Sequence, residues 1–298
     1  MIEMDIAKLL AENSEKIDVY LEKYLQTDEK ELETLYEAMR YSTLSGGKRI
    51  RPFLVMEFCR LFGRCEEAAI PFACAIEYVH TSSLIHDDMP CMDNDALRRG
   101  RPTNHVVFGE DIALLAGDAL ITRGYEMAAR NSEVEPSTAL AATAMLLYHA
   151  GAVGMMGGQE IDLLSEGKKT DFSTLMKMHE KKTGALIRAA CLLGVMAAGI
   201  TDERDERYNA AVKYARGVGL TFQIIDDILD VEGDAALLGK ATHADAALEK
   251  TTFLSFMSID EAKDYAKKLT EEAIAAIAPF DGNEALTELA KFLLTRKK

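Results

Sequence analysis

Apolar residues return every three or four positions over most of the chain, the period of helices that each bury one face. The pattern predicts helical segments over 4–26, 29–44, 52–62, 67–89, 111–131, 137–165, 172–199, 204–231, 245–255, 259–278 and 283–296. Some starts carry the side chains that satisfy free backbone N–H groups. Asp28 with Glu31 and Ser258 with Glu261 have capping-box spacing, and Asp171 precedes another long periodic stretch. The one short β-branched candidate, Thr103 to Phe108, is too isolated to build a sheet. Segments 67–89, 137–165, 172–199 and 204–231 are apolar around much of their circumference, which places them among other helices. The expectation is an all-α fold in which residues 1–298 form a single domain around buried central helices.

Composition sharpens this picture. Ala, Leu, Glu, Lys and Met abound, while prolines number six and tryptophan is absent, as suits helices. Lys and Arg total 34 against 49 Asp and Glu, a formal charge of −15, so the molecule repels polyanions and no nucleic-acid partner is expected. The longest apolar run, Ala189 to Ile200, falls well short of the roughly 20 residues that cross a bilayer, so no integral membrane segment is expected. The first residues, MIEMDIAKLLAENSEK, lack the basic start and apolar run of a signal peptide. Five cysteines without CxxC spacing argue against a disulfide frame or zinc knuckle and fit a cytoplasmic location.

Acidic residues stand where the helical pattern makes them costly. In GLTFQIIDDILDV, residues 219–231, Gln223, Asp226, Asp227 and Asp230 fall at i, i+3, i+4 and i+7, one stripe on a helix otherwise rich in Ile, Leu and Phe. Three carboxylates on one wall of a core need a cation. Hard oxygen donors without thiols suit Mg²⁺, which takes one or two protein carboxylates and completes its shell with water and phosphate oxygens. The alternative reading is a solvated acidic face. A second cluster lies in HTSSLIHDDMPCMDND, residues 80–95, where Asp87, Asp88 and Asp93 form DDxxxxD and His80 shares a face with Asp87. A straight helix would put Asp93 about 120° from Asp87. Pro90 ends the helix nearby and lets Asp93 return. Two such clusters imply a metal-phosphate chamber.

The basic residues gather too: Lys48, Arg49 and Arg51 in GGKRIRP, Arg98, Arg99 and Arg101 in LRRGRP, then Lys181, Lys182 and Lys240. Arg grips phosphate oxygens in a fork and Lys adds point charge, so these are candidate diphosphate clamps. Gly46 and Gly47 allow close approach beside them. The spacing is not that of a Walker loop.

Together GGKRIRP (46–52), HDDMPCMDNDALRRGRPTNH (86–105), GEDIALLAGDALIT (109–122), GGQEIDL (157–163), KKTGALI (181–187) and FQIIDDILD (222–230) resemble the short-chain trans-isoprenyl diphosphate synthases, the polyprenyl synthetases, over nearly the whole chain. The resemblance implies the isoprenoid synthase fold, long helices around a deep cavity, usually in a homodimer. It implies a prenyltransferase that joins isopentenyl diphosphate to an allylic diphosphate (dimethylallyl, geranyl or farnesyl) by ionisation, condensation and elimination. Asp87, Asp88, Asp93, Asp226, Asp227 and Asp230 resemble the two motifs that hold Mg²⁺, three ions in this family. Lys48, Arg51, His80 and Arg99 resemble the isopentenyl diphosphate grip, and Arg98, Lys182 and Lys240 the allylic one. Thr183 and Gln223 resemble the groups that stabilise the allylic cation. Asn94 and Ala96 depart from the acids frequent in the family.

In that family the product grows past residues one turn before the first motif, here the small Ser82 and Ser83. Helical geometry places Ser83 about 40° and Ser82 about 140° around the axis from Asp87. Small residues there favour geranylgeranyl diphosphate, with farnesyl diphosphate as the alternative. A terpene cyclase would not need GGKRIRP, and a non-catalytic regulatory subunit would be expected to lose an aspartate motif or a clamp. His86, His105, His149, His179 and His243 have no ligand spacing and read as structural or surface residues.

Overall fold

A computed structural model describes residues 5–237 and 251–296. Lys240 and the 245–250 part of an expected helix lie outside the described residues. The described chain is helical apart from a hairpin of two-residue strands, β1 (Leu97–Arg98) and β2 (Arg101–Pro102), so the all-α expectation holds. Contacts divide it into two compact units.

One unit comprises residues 7–146 and 193–201. Its centre is α4 (Ile70–Asp87), buried on nearly every face through Phe72, Ala73, Cys74, Ile76, Tyr78 and Val79. This helix packs against α3 (Ile50–Leu61) and α6 (Glu110–Ala129). The Tyr78 hydroxyl donates to the Leu21 carbonyl of α1 (Ile6–Tyr24) at 2.8 Å, so even the polar end of this buried ring is satisfied. The expected helix over 29–44 starts late. Asp28 and Glu31 do not form a capping box; Thr27 Oγ1 accepts from Glu29 N instead, and a single 3-10 turn precedes α2 (Glu33–Thr43). Thr103–Phe108 is not a strand, since α5 covers Asn104–Phe108.

The other unit comprises residues 147–192 and 202–298 with the remainder of the N-terminus. Its long member is α11 (Glu206–Leu237), which packs on α12 (Ile259–Ile277) and α13 (Glu284–Thr295). Leu220, Ile224, Ile225 and Ile228 of α11 meet Leu175, Met178, Phe253 and Leu269 in its core. Two caps form as expected: Asp171 accepts from Thr174 N at 2.8 Å, and Ser258 with Glu261 makes a capping box.

Two expected helices are broken. The 137–165 segment divides into α7 (Pro136–Ala150) and α8 (Met155–Ser165) around a turn bracketed by Gly151 and Gly154. The 172–199 segment divides at Thr183 into α9 (Phe172–Lys182) and α10 (Gly184–Ala197). The apolar period runs through both breaks, which is why the pattern reads them as continuous. Nor is 137–165 a buried segment, since Leu140 and Tyr148 are 71% and 61% exposed and Leu164 is exposed as well. By length and composition alone, 66–87 and 136–165 could cross a membrane, but the first is mostly buried within its own unit. The five cysteines are all free.

Candidate active site

The first acidic cluster is built where α4 stops. Pro90 has no N–H to extend the helix, and the chain folds back through Met89 N to His86 O and Met92 N to Met89 O. Asp93 N then donates to the Asp87 carbonyl at 2.9 Å, so the return of Asp93 toward Asp87 takes place. Asn94, the departure from the family acid, has φ 54°, a left-handed conformation that Asn tolerates better than most residues. Asp87 is half-buried and Asp93 exposed, whereas Asp88 is buried. Arg98 forks onto Asp88, with Nε 2.8 and 2.9 Å from the two oxygens and Nη2 at 2.7 Å. Burial raises the Asp88 pKa and Arg98 offsets only part of that. Arg98 keeps its own charge, because against burial the Asp88 hydrogen bond prevails. The two-oxygen fork is the geometry of an ionised pair.

Beside this cluster, in the same unit, lies a basic cradle. Gly46 and Gly47 have φ 86° and 137°, and a Cβ on Gly47 would fall 2.8 Å from Arg99 Nη1. The close approach that these glycines permit is therefore that of the Arg99 guanidinium, which donates to the Gly46 carbonyl. Burial lowers the pKa of Arg51 and of Arg99; Glu77 offsets this in part, while Arg51 also feels Arg99 and Arg99 also feels Arg49. Burial and then Arg51, Arg99, Arg49 and Arg98 drive His80 well below the ordinary histidine range, so it is neutral. Cations held short of compensating negative charge make an anion site. Lys48 is exposed at its edge.

Arg49 is the exception among the candidate clamps. It adopts φ 46° and is buried, donating to Asp18 and Glu77 at 2.8 Å and to the Thr43 carbonyl at 2.6 Å. Burial opposes its charge, yet Glu77 and Asp18 more than restore it. Every direction of its guanidinium is used inside the protein, so Arg49 is a structural ion pair and no clamp.

In the other unit the second acidic stripe does not line a core. Asp226 and Asp227 are half-buried and Asp230 exposed, along a cleft of about 270 Å³ that Asp162, His179, Lys182 and Gln223 also line. Carboxylates keep water there at little cost. Each side chain has a definite tether. Asp227 Oδ2 accepts from Phe253 N at 2.7 Å, and Asp226 Oδ1 pairs with Arg296, whose guanidinium lies 4.0 Å from the Phe222 ring centre. Lys182 Nζ is 2.5 Å from Asp162 Oδ2, so Asp162 of GGQEIDL orients the lysine. Lys181 instead donates to the Val153 carbonyl. Thr183, at the α9–α10 break, donates to Gln223 Oε1 at 3.2 Å, so the two expected cation-stabilising groups are joined.

Sequence reasoning passed over Asp162, His179 and Arg296. Asp162 lay within a quoted motif, and His179 stands at i−4 from Thr183, a spacing that puts both on one helix face. Nothing local marks Arg296, which meets Asp226 across 70 positions.

Among the described residues no three His, Cys, Asp or Glu side chains converge into a ready-made metal cage. A transition-metal site would need such a cage, whereas Mg²⁺ does not, because water and phosphate oxygens supply most of its shell. The six motif carboxylates, all but Asp88 half-buried or exposed, are hard oxygen donors of the kind that fits Mg²⁺ with a diphosphate.

Comparison with known proteins agrees with this chemistry. The profile of the family described as polyprenyl synthetase matches residues 32–291. A geranylgeranyl diphosphate synthase of Cyanophora paradoxa is 44% identical over 265 residues, 88% of this chain and 87% of that one. A dimethylallyltranstransferase of Fischerella ambigua is 44% identical over 290 residues, covering 96% and 82%. Among solved structures, an FPP/GFPP synthase from Zymomonas mobilis superposes with TM-score 0.87 at 35% identity, covering 98% of this chain and 99% of that one.

Proposed function

Because the chain belongs to the polyprenyl synthetase family and is a prenyltransferase, we propose that it condenses isopentenyl diphosphate with allylic diphosphates as far as geranylgeranyl diphosphate. The observation that carries the twenty-carbon product is the wall one turn before the first aspartate motif. Ser82 and Ser83 each donate their hydroxyl to the carbonyl three residues back, Val79 and His80, at 2.8 Å. Both side chains are small and their polar atoms are turned onto their own helix, so neither of them puts bulk in the path of a growing chain. The Cyanophora relative carries the same product in its name.

In this reading Arg51, Arg99, Lys48 and neutral His80 hold the isopentenyl diphosphate, the excess cationic charge of the cradle being met by its anion. Arg98, oriented by Asp88, and Lys182, oriented by Asp162, are the candidates to bind the allylic diphosphate and stabilise its leaving charge. Mg²⁺ supplies further positive charge to that diphosphate when bound, and the candidates to hold it are Asp87, Asp88, Asp93, Asp226, Asp227 and Asp230. Thr183 and Gln223 stabilise the allylic cation together, the threonine oxygen through its lone pairs and the amide oxygen by holding the threonine hydrogen away from it. Apolar side chains exclude the water that would quench it. Proton loss to the departed diphosphate completes the trans double bond.

We extend the proposal to a homodimer. Leu114 and Leu115 of α6 and Leu140, Leu147 and Tyr148 of α7 are all exposed apolar side chains, and a second copy of the chain would cover them.

Incubation with Mg²⁺, labelled isopentenyl diphosphate and allylic primers of five, ten and fifteen carbons should yield a twenty-carbon alcohol after dephosphorylation, sized by mass spectrometry. A product of fifteen carbons would replace the geranylgeranyl reading with the farnesyl one. No condensation would revive the regulatory subunit. The same preparation should sediment at twice the 32.8 kDa chain mass, and a species of single mass would remove the dimer.

A further inference from the structure

His179 is buried in the last turn of α9, and its ring stacks on Phe253 with centroids 5.0 Å apart and planes 14° apart. Its Nδ1 lies 3.0 Å from Gln223 Oε1, which also accepts the Thr183 hydroxyl at 3.2 Å. On the other side of the amide, Gln223 Nε2 is 3.5 Å from Asp226 Oδ2. His179 Nε2 is buried and has no partner among the described residues.

These contacts can be drawn with two protonation patterns. In one, an Nδ1–H imidazole donates to the amide oxygen and the amide nitrogen faces Asp226. In the other, the amide is turned over, its nitrogen donates to a bare Nδ1, and its oxygen faces the Asp226 carboxylate. The second sets two acceptors against each other and leaves the Thr183 hydroxyl without its acceptor. It also requires Nε2 to carry a hydrogen that is buried without a partner, which is costlier than a buried bare lone pair. Hydrogen bonding therefore favours the first pattern, and burial, which takes the His179 pKa down to about 4, keeps the ring neutral in it.

We propose that His179 is a positioning residue for prenyl transfer: its Nδ1–H fixes the Gln223 amide oxygen, which holds the hydrogen of Thr183 and leaves the threonine oxygen presenting only lone pairs to the cationic substrate. A hydroxyl free to rotate would present its hydrogen part of the time, and that positive end repels a carbocation. His179 also anchors Thr183 through the backbone, its carbonyl accepting from Thr183 N at 3.2 Å. The inference rests on the prenyltransferase reading for its consequence and on the hydrogen bonds for its substance.

The test separates those two. Asparagine places an N–H close to where Nδ1 stands, while phenylalanine preserves the stack on Phe253 and removes the donor. His179→Phe should lower kcat by about 10–100-fold with KM for isopentenyl diphosphate within about twofold of the parent, the usual scale for a supporting hydrogen bond. His179→Asn should recover kcat to within about threefold of the parent. Equal losses in the two variants, or a loss confined to KM, would overturn the proposal. Independently of any activity, NMR of the ¹⁵N-histidine-labelled parent at pH 7 should show the His179 ring protonated at Nδ1 alone. An Nε2–H tautomer or an imidazolium would overturn it whether or not either variant folds. An Nδ1–H ring in a protein that condenses nothing would leave the positioning intact and sink the functional reading alone.

Discussion

Gly158→Ala lowers kcat by at least about 100-fold, the loss that follows when catalytic groups are displaced by roughly 1 Å. Gly158 is buried in α8, and a Cβ built there falls 2.1 Å from Lys182 N, 2.5 Å from Lys182 Cα and 2.7 Å from Lys181 C. All three are backbone atoms, so no side chain can swing away and the two helices must part. What moves with α9 is Lys182 and, one residue on, Thr183 at the break. The overpacking itself costs roughly 1–3 kcal/mol. Steady-state kinetics beside a melting curve read both effects. Gly167→Ala is the control: its φ of 65° makes alanine strained, but no atom crowds the new methyl, so only the melting point should fall. A Gly158→Ala enzyme with near-parental kcat would show that α8 and α9 tolerate separation and that Lys182 need not be held where it is.

The second large effect is on stability. Arg49→Leu removes the cation that Glu77 and Asp18 share and takes from the buried Glu77 carboxylate its hydrogen-bonded partner, leaving it only the through-space field of Arg51 and Arg99, a loss of roughly 3–5 kcal/mol. For a chain of this size that lowers the melting temperature on the order of 10 °C. Adding Glu77→Gln should restore part of it, since the stranded charge is then gone. The variant should keep KM for isopentenyl diphosphate within about twofold, because Arg49 is buried and each of its three guanidinium nitrogens is bonded inside the protein. A large rise in KM with unchanged stability would return Arg49 to the diphosphate clamps where its place in GGKRIRP first put it.

Arg49 illustrates what sequence can and cannot reveal. The motif marks a cluster of cations, but which of them faces a ligand depends on Asp18 and Glu77, 31 and 28 positions away. Helix starts were legible wherever the cap is local, as at Asp171 and Ser258, and failed at Asp28, where Thr27 one residue earlier takes the backbone N–H. The aspartate motifs were legible because acids interrupt an apolar period. Their environment was not: the stripe 226–230 borders an open cleft, since periodicity tells one face from another without telling a core from an open wall. The break at Thr183 was invisible because Gly184, Ala185 and Leu186 continue the apolar pattern, while the hydroxyl that uses the break finds its partner 40 residues on. His179 was passed over for a related reason: a lone histidine on an apolar face is more often core than chemistry, and only its acceptor distinguishes the two.

The serine hydroxyls of α4 have a consequence for how such an enzyme can diverge. Ser82 and Ser83 spend their hydrogen bonds within a single turn, so among the described residues no distant group depends on them. Exchange for alanine or for a larger apolar side chain would orphan no acceptor elsewhere, and the genetic code connects serine to phenylalanine by a single base. On the proposed reading of these serines, product length then turns on side-chain volume alone at this turn of α4, with no hydrogen-bond network to rebuild.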